Sequence, residues 1–287
     1  MSLLLVIRHC SLMVRAKKSL GQNFLEDERV VERIVEALGP RADETIIEIG
    51  PGRGALTSRL VEMAGRLVAI ELDRELAGLL RERFGARANF QIVEGDALDA
   101  DLCSLVAPEG RARVVANLPY YISTAILQRL IEQRRCITGM VLMLQREVVE
   151  RITAPPASSE RGYLSVMVEA YASAETLFDV SPASFRPVPK VWSTVVRLSM
   201  RPRMGVPVDD EALFRQLVSA GFAQRRKTIL NNLRGAPDAL RLRIEEAGGA
   251  GPLLEAAGVA PVRRAETLTL EEWARVARII EGTSTGF

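Results

Sequence analysis

Ile46-Ile47-Glu48-Ile49 runs directly into Gly50-Pro51-Gly52-Arg53-Gly54, and Ala55-Leu56-Thr57 begins a helical spacing behind it. A β-branched run, a glycine turn and a helix make up the opening unit of an α/β fold that holds a nucleotide or nucleoside at the carboxyl end of its first strand. Glycine is needed where the backbone takes positive φ or approaches a ligand closely. A merely tight turn also needs glycine, so the motif alone is a weak signal. The alternation continues from residue 45 to 199, with strands predicted near Thr45–Ile49, Leu67–Glu71, Phe90–Val93, Val114–Ala116, Met140–Leu144, Thr176–Val180 and Thr194–Leu198. Helical periods fill most of the gaps, the pattern of a mostly parallel sheet with helices on both faces. The expected fold class is α/β and Rossmann-like.

Two carboxylates extend the signal. Glu71 closes the second predicted strand in Ala69-Ile70-Glu71-Leu72-Asp73, and Asp96 follows the third in Glu94-Gly95-Asp96-Ala97. The first is placed to accept both hydroxyls of a ribose, the second to accept from an adenine amino group. Either acid alone reads as a solvated strand end, but with the turn they describe a nucleoside site built from Gly50, Gly52, Glu71 and Asp96. A nicotinamide dehydrogenase shares the turn and the ribose acid. Its GxGxxG spacing, which sets a helix amino end against a pyrophosphate, is GxGxG in this chain. S-Adenosylmethionine has no phosphate, and its sulfonium gains nothing from the positive end of a helix, so it is the expected cofactor.

Asn117-Leu118-Pro119-Tyr120 follows the fourth predicted strand, Val114-Val115-Ala116, which places it beside that cofactor. It resembles the (Asp/Asn/Ser)-Pro-Pro-(Tyr/Phe) motif of methyltransferases that act on amino groups of nucleic acids. Such an amino nitrogen is a poor nucleophile, because its lone pair is delocalised into the ring. The Asn117 side-chain oxygen and the Leu118 carbonyl can each accept one of its hydrogens, favouring a tetrahedral nitrogen aimed at the methyl group. Pro119 confines Leu118 to extended geometry, and Tyr120 can stack on the base. An Asn-capped turn with a packed Tyr is the plain alternative reading.

The rest of the composition removes other chemistries. His9 is the only histidine of the 287 residues and sits in a peripheral segment, so histidine-based acid, base or triad catalysis lacks its central residue. Cys10, Cys103 and Cys136 are odd in number and lack CxxC spacing, so they read as free thiols in a reducing, cytoplasmic compartment, with neither metal site nor disulfide. No apolar run exceeds Met140–Leu144 in length, far short of the roughly 20 residues of a membrane-spanning helix. Residues 1–16 form a peripheral extension, too short in its apolar part for a secretory core and only weakly like an organellar presequence. Met13 reads as the natural start, an expectation that retention of residues 1 to 12 in the native protein would contradict.

Residues 17–200 are expected to be the catalytic α/β domain. Arg201-Pro202-Arg203-Met204-Gly205-Val206-Pro207 breaks both periodicities and reads as a linker, and residues 208–287 carry helical spacing throughout. The net charge is only +2, but basic residues cluster, most notably at Arg225-Arg226-Lys227. Such a cluster suits a phosphate backbone, or else solvates a helix end.

From Lys17 to about Ile280 the chain resembles the bacterial small-subunit (16S) rRNA adenine N6,N6-dimethyltransferase family. The resemblance rests on Lys18-Ser19-Leu20-Gly21-Gln22-Asn23-Phe24-Leu25, the glycine turn, Glu71, Asp96 and the Asn117 turn. It continues in Phe185-Arg186-Pro187-Val188-Pro189-Lys190-Val191-Trp192-Ser193, Arg225-Arg226-Lys227-Thr228 and Arg264-Ala265-Glu266-Thr267-Leu268-Thr269. It implies dimethylation of two adjacent adenosines in a hairpin loop near the 3′ end of 16S rRNA, one S-adenosylmethionine per methyl, by an enzyme nothing requires to be more than a monomer. It also implies that Asn23, Leu25 and Asn117 join the cofactor contacts, that Phe185 forms a second aromatic wall opposite Tyr120, and that the helical domain engages RNA. Tyr121 and Trp192 depart from the family pattern, with Asn common at the first and a smaller residue usual at the second. Two other readings share these motifs: a 23S rRNA methyltransferase of the antibiotic-resistance type, and a non-catalytic ribosome-assembly or transcription factor.

Overall fold

The computed structural model describes residues 15–17, 20–107 and 110–284. Lys18, Ser19 and most of the peripheral extension lie outside them. The chain forms two compact units. One takes the described residues up to Val149 together with Ala174–Met200; the other takes Glu150–Ser173 and the described residues from Arg201 onward.

In the first unit, β1 (Phe24–Leu25) is followed by α1 (Glu28–Leu38), β2 (Thr45–Ile49), α2 (Thr57–Met63), β3 (Arg66–Glu71), α3 (Arg74–Phe84) and β4 (Phe90–Glu94). Then come α4 (Leu102–Leu105), β5 (Ala112–Asn117), α5 (Ser123–Glu132) and β6 (Ile137–Gln145), and, after α6 (Arg146–Ile152), which crosses the boundary, and α7 (Tyr163–Tyr171) of the second unit, β7 (Ala172–Val180), β8 (Phe185–Arg186) and β9 (Ser193–Met200). The seven predicted strands are all present, most of them longer by a few residues. They make one sheet in the order β4-β3-β2-β5-β6-β9-β7. β2 pairs parallel with β3 and β5, β3 with β4 and β5 with β6, whereas β9 runs antiparallel to β6. Strand order reverses between β2 and β5, which opens a crevice at their carboxyl ends, where open α/β sheets bind ligands.

Local sequence explains the helices that flank this crevice. Val30, Val31, Ile34, Val35 and Leu38 bury one face of α1, Asp27 caps its first turn by accepting from the Arg29 N–H, and Gly39 at φ 57° ends it in the left-handed region. Asp73 caps α3 in the same way, accepting from the Glu75 N–H. β1 and β8 pair antiparallel as a separate two-stranded sheet, Leu25 opposite Phe185. Strands of two residues have no period to read, so nothing in the sequence announces them.

The second unit adds α8 (Glu211–Gly221), α9 (Ile229–Arg234), α10 (Asp238–Glu246), α11 (Ala250–Ala256) and α12 (Leu270–Ser284). Trp273 is fully buried on α12, and a Cβ on Gly221 would lie 2.3 Å from its ring, so only glycine lets α8 approach it. The Arg264–Thr269 motif leads into a capping box: Thr269 Oγ1 accepts from the Glu272 N–H at 3.2 Å, and Glu272 Oε2 from the Thr269 N–H at 2.9 Å.

Two expectations need correction. Position before the linker assigns residues 150–173 to the catalytic domain, but α7 packs in the helical unit. There the Tyr171 hydroxyl donates to Glu211 Oε2 on α8 at 3.3 Å. The cysteines are not all free, since Cys103 and Cys136 form a disulfide across a Cα separation of 5.3 Å. Gln133 brings them together by accepting from the Leu102 N–H at 2.8 Å and donating to the Ala100 carbonyl at 2.9 Å. A pairing over 33 residues depends on that tertiary link and leaves no spacing signature. Cysteine usage therefore does not argue for a reducing compartment. Among the described residues, no helix is long and apolar enough to cross a membrane, and no cluster of His, Cys, Asp or Glu could hold a metal ion.

Candidate active site

A cleft of about 1030 Å3, counted to its open mouth, lies at the carboxyl ends of β2, β3, β4 and β5. Asn23, Leu25, Gly50, Gly52, Glu71, Asp96, Asn117, Leu118 and Tyr120 all line it. Gly50 and Gly52 sit at φ 65° and 58°, and a Cβ on Gly52 would come within 3.1 Å of the Phe24 ring, so both conformation and space require glycine there.

Glu71 ends β3 with its carboxylate fixed from two sides. Oε2 accepts from the Gly52 N–H at 3.0 Å and Oε1 from the Asp73 N–H at 2.9 Å. Each oxygen keeps a second acceptor position, enough for a pair of vicinal hydroxyls. Burial pushes the Glu71 carboxyl above the usual range, against the pull of those N–H groups. Asp96 Oδ1 accepts from the Leu98 N–H at 2.9 Å, a turn that holds its side chain at the end of the crevice. Leu72, 44% exposed, and Ala97 line the space between these acids. A flat ring fits such apolar cover, and neither residue stands out in the sequence, where each is one more apolar position beside an acid.

Glu48 is a further carboxyl in the wall, 2% exposed on β2. Burial and, to a smaller extent, the neighbouring Glu71 charge push it up to about 8, against a hydrogen bond from the Thr57 hydroxyl at 2.7 Å. Arg53, the cation of the turn, pairs with Glu26 at 3.1 Å and lies over the Phe24 ring. With Glu48 protonated near neutral pH, it is the Glu71 and Asp96 side chains that suit a cationic nucleoside and oppose a pyrophosphate. The site therefore fits S-adenosylmethionine, whose chemistry would be an electrophilic methyl on sulfur.

Asn117 ends β5. Its side-chain N–H donates to the Asn23 carbonyl at 3.2 Å. Only the NH2 end of an amide can face a carbonyl, so the side-chain oxygen is directed away from Asn23 as an acceptor. The segment leading to Asn23 is itself tied down: Lys17 Nζ donates to Asp73 at 2.7 Å and Gln22 Nε2 to Asp73 at 3.0 Å. Leu118 is 1% exposed and anchored by its N–H to the Met143 carbonyl at 3.2 Å. Tyr120 is half-buried, and its hydroxyl shares a 3.0 Å hydrogen bond with Ser193 Oγ at the start of β9. Ser193 closes a motif without any role legible in the sequence; in the fold it fixes the Tyr120 ring. If Tyr120 stacks on the target base, Ser193→Ala and Tyr120→Phe should each lower kcat about threefold to tenfold, and the double variant should lose no more than one alone. Additive losses in steady-state kinetics would show that the two act separately.

Phe185 does not fill its expected place. It is 1% exposed, packs in the apolar core with Leu25, Val180 and Val195, and is absent from the cleft wall. A ring enclosed on all sides has no face to offer a base. Its motif supplies instead Ser193, and its partner in β1 is the cleft-lining residue Leu25. Arg225, Arg226 and Lys227 lie in the helical unit, exposed in the turn between α8 and α9, with the Arg225 guanidinium donating to the Ser159 carbonyl.

Strand order, glycine turn and paired acids define a Rossmann-like S-adenosylmethionine-dependent methyltransferase domain, accompanied in this chain by a carboxyl-terminal helical unit. The family model described as ribosomal RNA adenine dimethylase matches residues 13–279, and the chain belongs to that family. It is 45% identical over 268 residues to the ribosomal RNA small subunit methyltransferase A of Acidobacterium capsulatum, covering 93% of this chain and 92% of the relative. Among solved structures, a dimethyladenosine transferase from Plasmodium falciparum is similar at a TM-score of 0.75 and 22% identity, over 91% of this chain and 98% of that one. The 23S rRNA methyltransferase ErmE is similar at 0.65 and 27%, over 90% and 100%.

Proposed function

We infer that the protein transfers methyl groups from S-adenosylmethionine to N6 of two adjacent adenosines in the 3′-terminal hairpin loop of 16S rRNA, as a monomer in the cytoplasm, during small-subunit maturation. The observation that carries this reading is the Asn117 amide, oriented by the Asn23 carbonyl and held in one cleft with Glu71 and Asp96. Glu71 accepts the ribose hydroxyls of the cofactor and Asp96 its adenine amino group, while Gly50, Gly52, Asn23 and Leu25 shape the pocket around it. The flipped target adenine rests on Tyr120. Asn117 Oδ1 and the Leu118 carbonyl accept its two N6 hydrogens, which localises the lone pair toward the methyl carbon. After attack the nitrogen carries a proton acidic enough to leave to water, so no general base is needed. Arg225, Arg226 and Lys227 take backbone phosphates.

The likeness to ErmE keeps one rival in view, methylation of 23S rRNA. Curated relatives of 40–45% identity named for the small subunit favour 16S rRNA instead. Incubation with labelled S-adenosylmethionine and either unmethylated small subunits or 23S rRNA decides between them. Label is expected in the small-subunit RNA; label confined to 23S rRNA contradicts the assignment, and label in neither supports a non-catalytic assembly role.

A further inference from the structure

Val188, Val191 and Trp192 stand 57%, 38% and 46% exposed within five residues of the loop that joins β8 to β9. Large apolar groups concentrated in one exposed loop mark a contact surface. Cations outnumber acids around them: Arg186 and Lys190 are exposed in the same segment, and the Arg146 guanidinium, paired with Asp179, lies over the Trp192 ring, 5.0 Å from its centroid. Arg146 also fixes the residue through the backbone, since its N–H donates to the Trp192 carbonyl at 3.0 Å, and its side chain pairs with Asp179 at 2.6 Å. The next residue, Ser193, holds the hydroxyl of Tyr120. Trp192 thus stands one residue from the serine that holds the proposed base wall, at the same end of the sheet.

A held indole with cations beside it matches an unpaired nucleotide, which presents a π face and a phosphate together. An apolar protein partner would use the valines and the indole but leave Arg186 and Lys190 without counter-charge. We propose that Trp192 stacks on an unpaired base adjacent to the adenosine held at Tyr120, with Arg186 and Lys190 at its phosphate. The proposal rests on the reading of this cleft as an adenine methyltransferase site and adds a second nucleotide position to it.

The chain has two tryptophans, and Trp273 is fully buried, so fluorescence changes on RNA binding report on Trp192. A synthetic RNA hairpin with two adjacent loop adenosines should quench the full-length protein, and a fully paired duplex of equal length should not. With unmethylated small subunits as substrate, Trp192→Ala should raise KM roughly tenfold while kcat and the affinity for S-adenosylmethionine stay within about twofold, and Trp192→Phe should recover most of the loss. Equal quenching by both RNAs, or an unchanged KM in Trp192→Ala while the wild type methylates, overturns this proposal alone. A wild type that transfers no methyl to RNA overturns the site reading and the proposal together.

Discussion

Asn117→Ala should lower kcat for methyl transfer by on the order of a hundredfold to a thousandfold, the effect of removing one preorganised group from a developing charge. Binding to small subunits should be nearly unchanged, because in the proposed mechanism Asn117 is offered only to the extruded base and not to the RNA backbone. The variant also loses the hydrogen bond from Asn117 to the Asn23 carbonyl, worth about 1 kcal/mol, which leaves the sheet intact. Single-turnover kinetics together with a subunit-binding measurement check both parts. Turnover at the wild-type rate would remove Asn117 from the mechanism.

The second large effect is on stability. Glu48 is held up to about 8 by burial on β2, against an ordinary glutamate of about 4.3 in the unfolded chain. Between those values the folded state keeps a proton that the unfolded state has lost, so unfolding releases one and stability falls as pH rises. The contribution is complete below about pH 4.3 and shrinks by about 1.4 kcal/mol per unit until pH about 8, above which this group adds no further slope. Glu48→Gln keeps an acceptor for the Thr57 hydroxyl and removes the titration. It should come within about 1 kcal/mol of the wild type near pH 5 and exceed it by a few kcal/mol near pH 8.5. Denaturant melts of the cofactor-free protein at both values check this; parallel pH profiles for the two proteins would show that Glu48 is not the group responsible.

These effects differ in how far the sequence announces them. Strand, glycine turn and helix at Ile46–Thr57 form the first unit of the sheet, and Glu71, Asp96 and Asn117 fall at successive strand ends, so position along the chain already places them in one crevice. Glu48 is legible only as a strand residue. Its proton affinity depends on how completely the sheet and α2 enclose it, which no local pattern carries. The same holds for Ser193, whose contact with Tyr120 spans 73 residues, and for the Cys103–Cys136 pair. Phe185 shows the opposite failure: a resemblance assigns it a place at the base, and packing against Leu25 in the paired β1 and β8 puts it in the core. Residues 150–173 defeat a reading by position because an apolar helix carries no mark of which core it joins.

Nucleoside analysis of small-subunit RNA after reaction tests the central claim most directly. Unmethylated subunits would be incubated with the protein and S-adenosylmethionine, then the RNA cut to oligonucleotides, which give the positions, and to nucleosides, which give the modified atom, both resolved by mass spectrometry against synthetic standards. N6,N6-dimethyladenosine is expected at two adjacent positions of the 3′-terminal loop, since the proposed roles of Asn117 and Leu118 are to address an exocyclic amino group. Methyl groups on a ring nitrogen, on carbon or on a ribose hydroxyl, with N6 untouched, would contradict it.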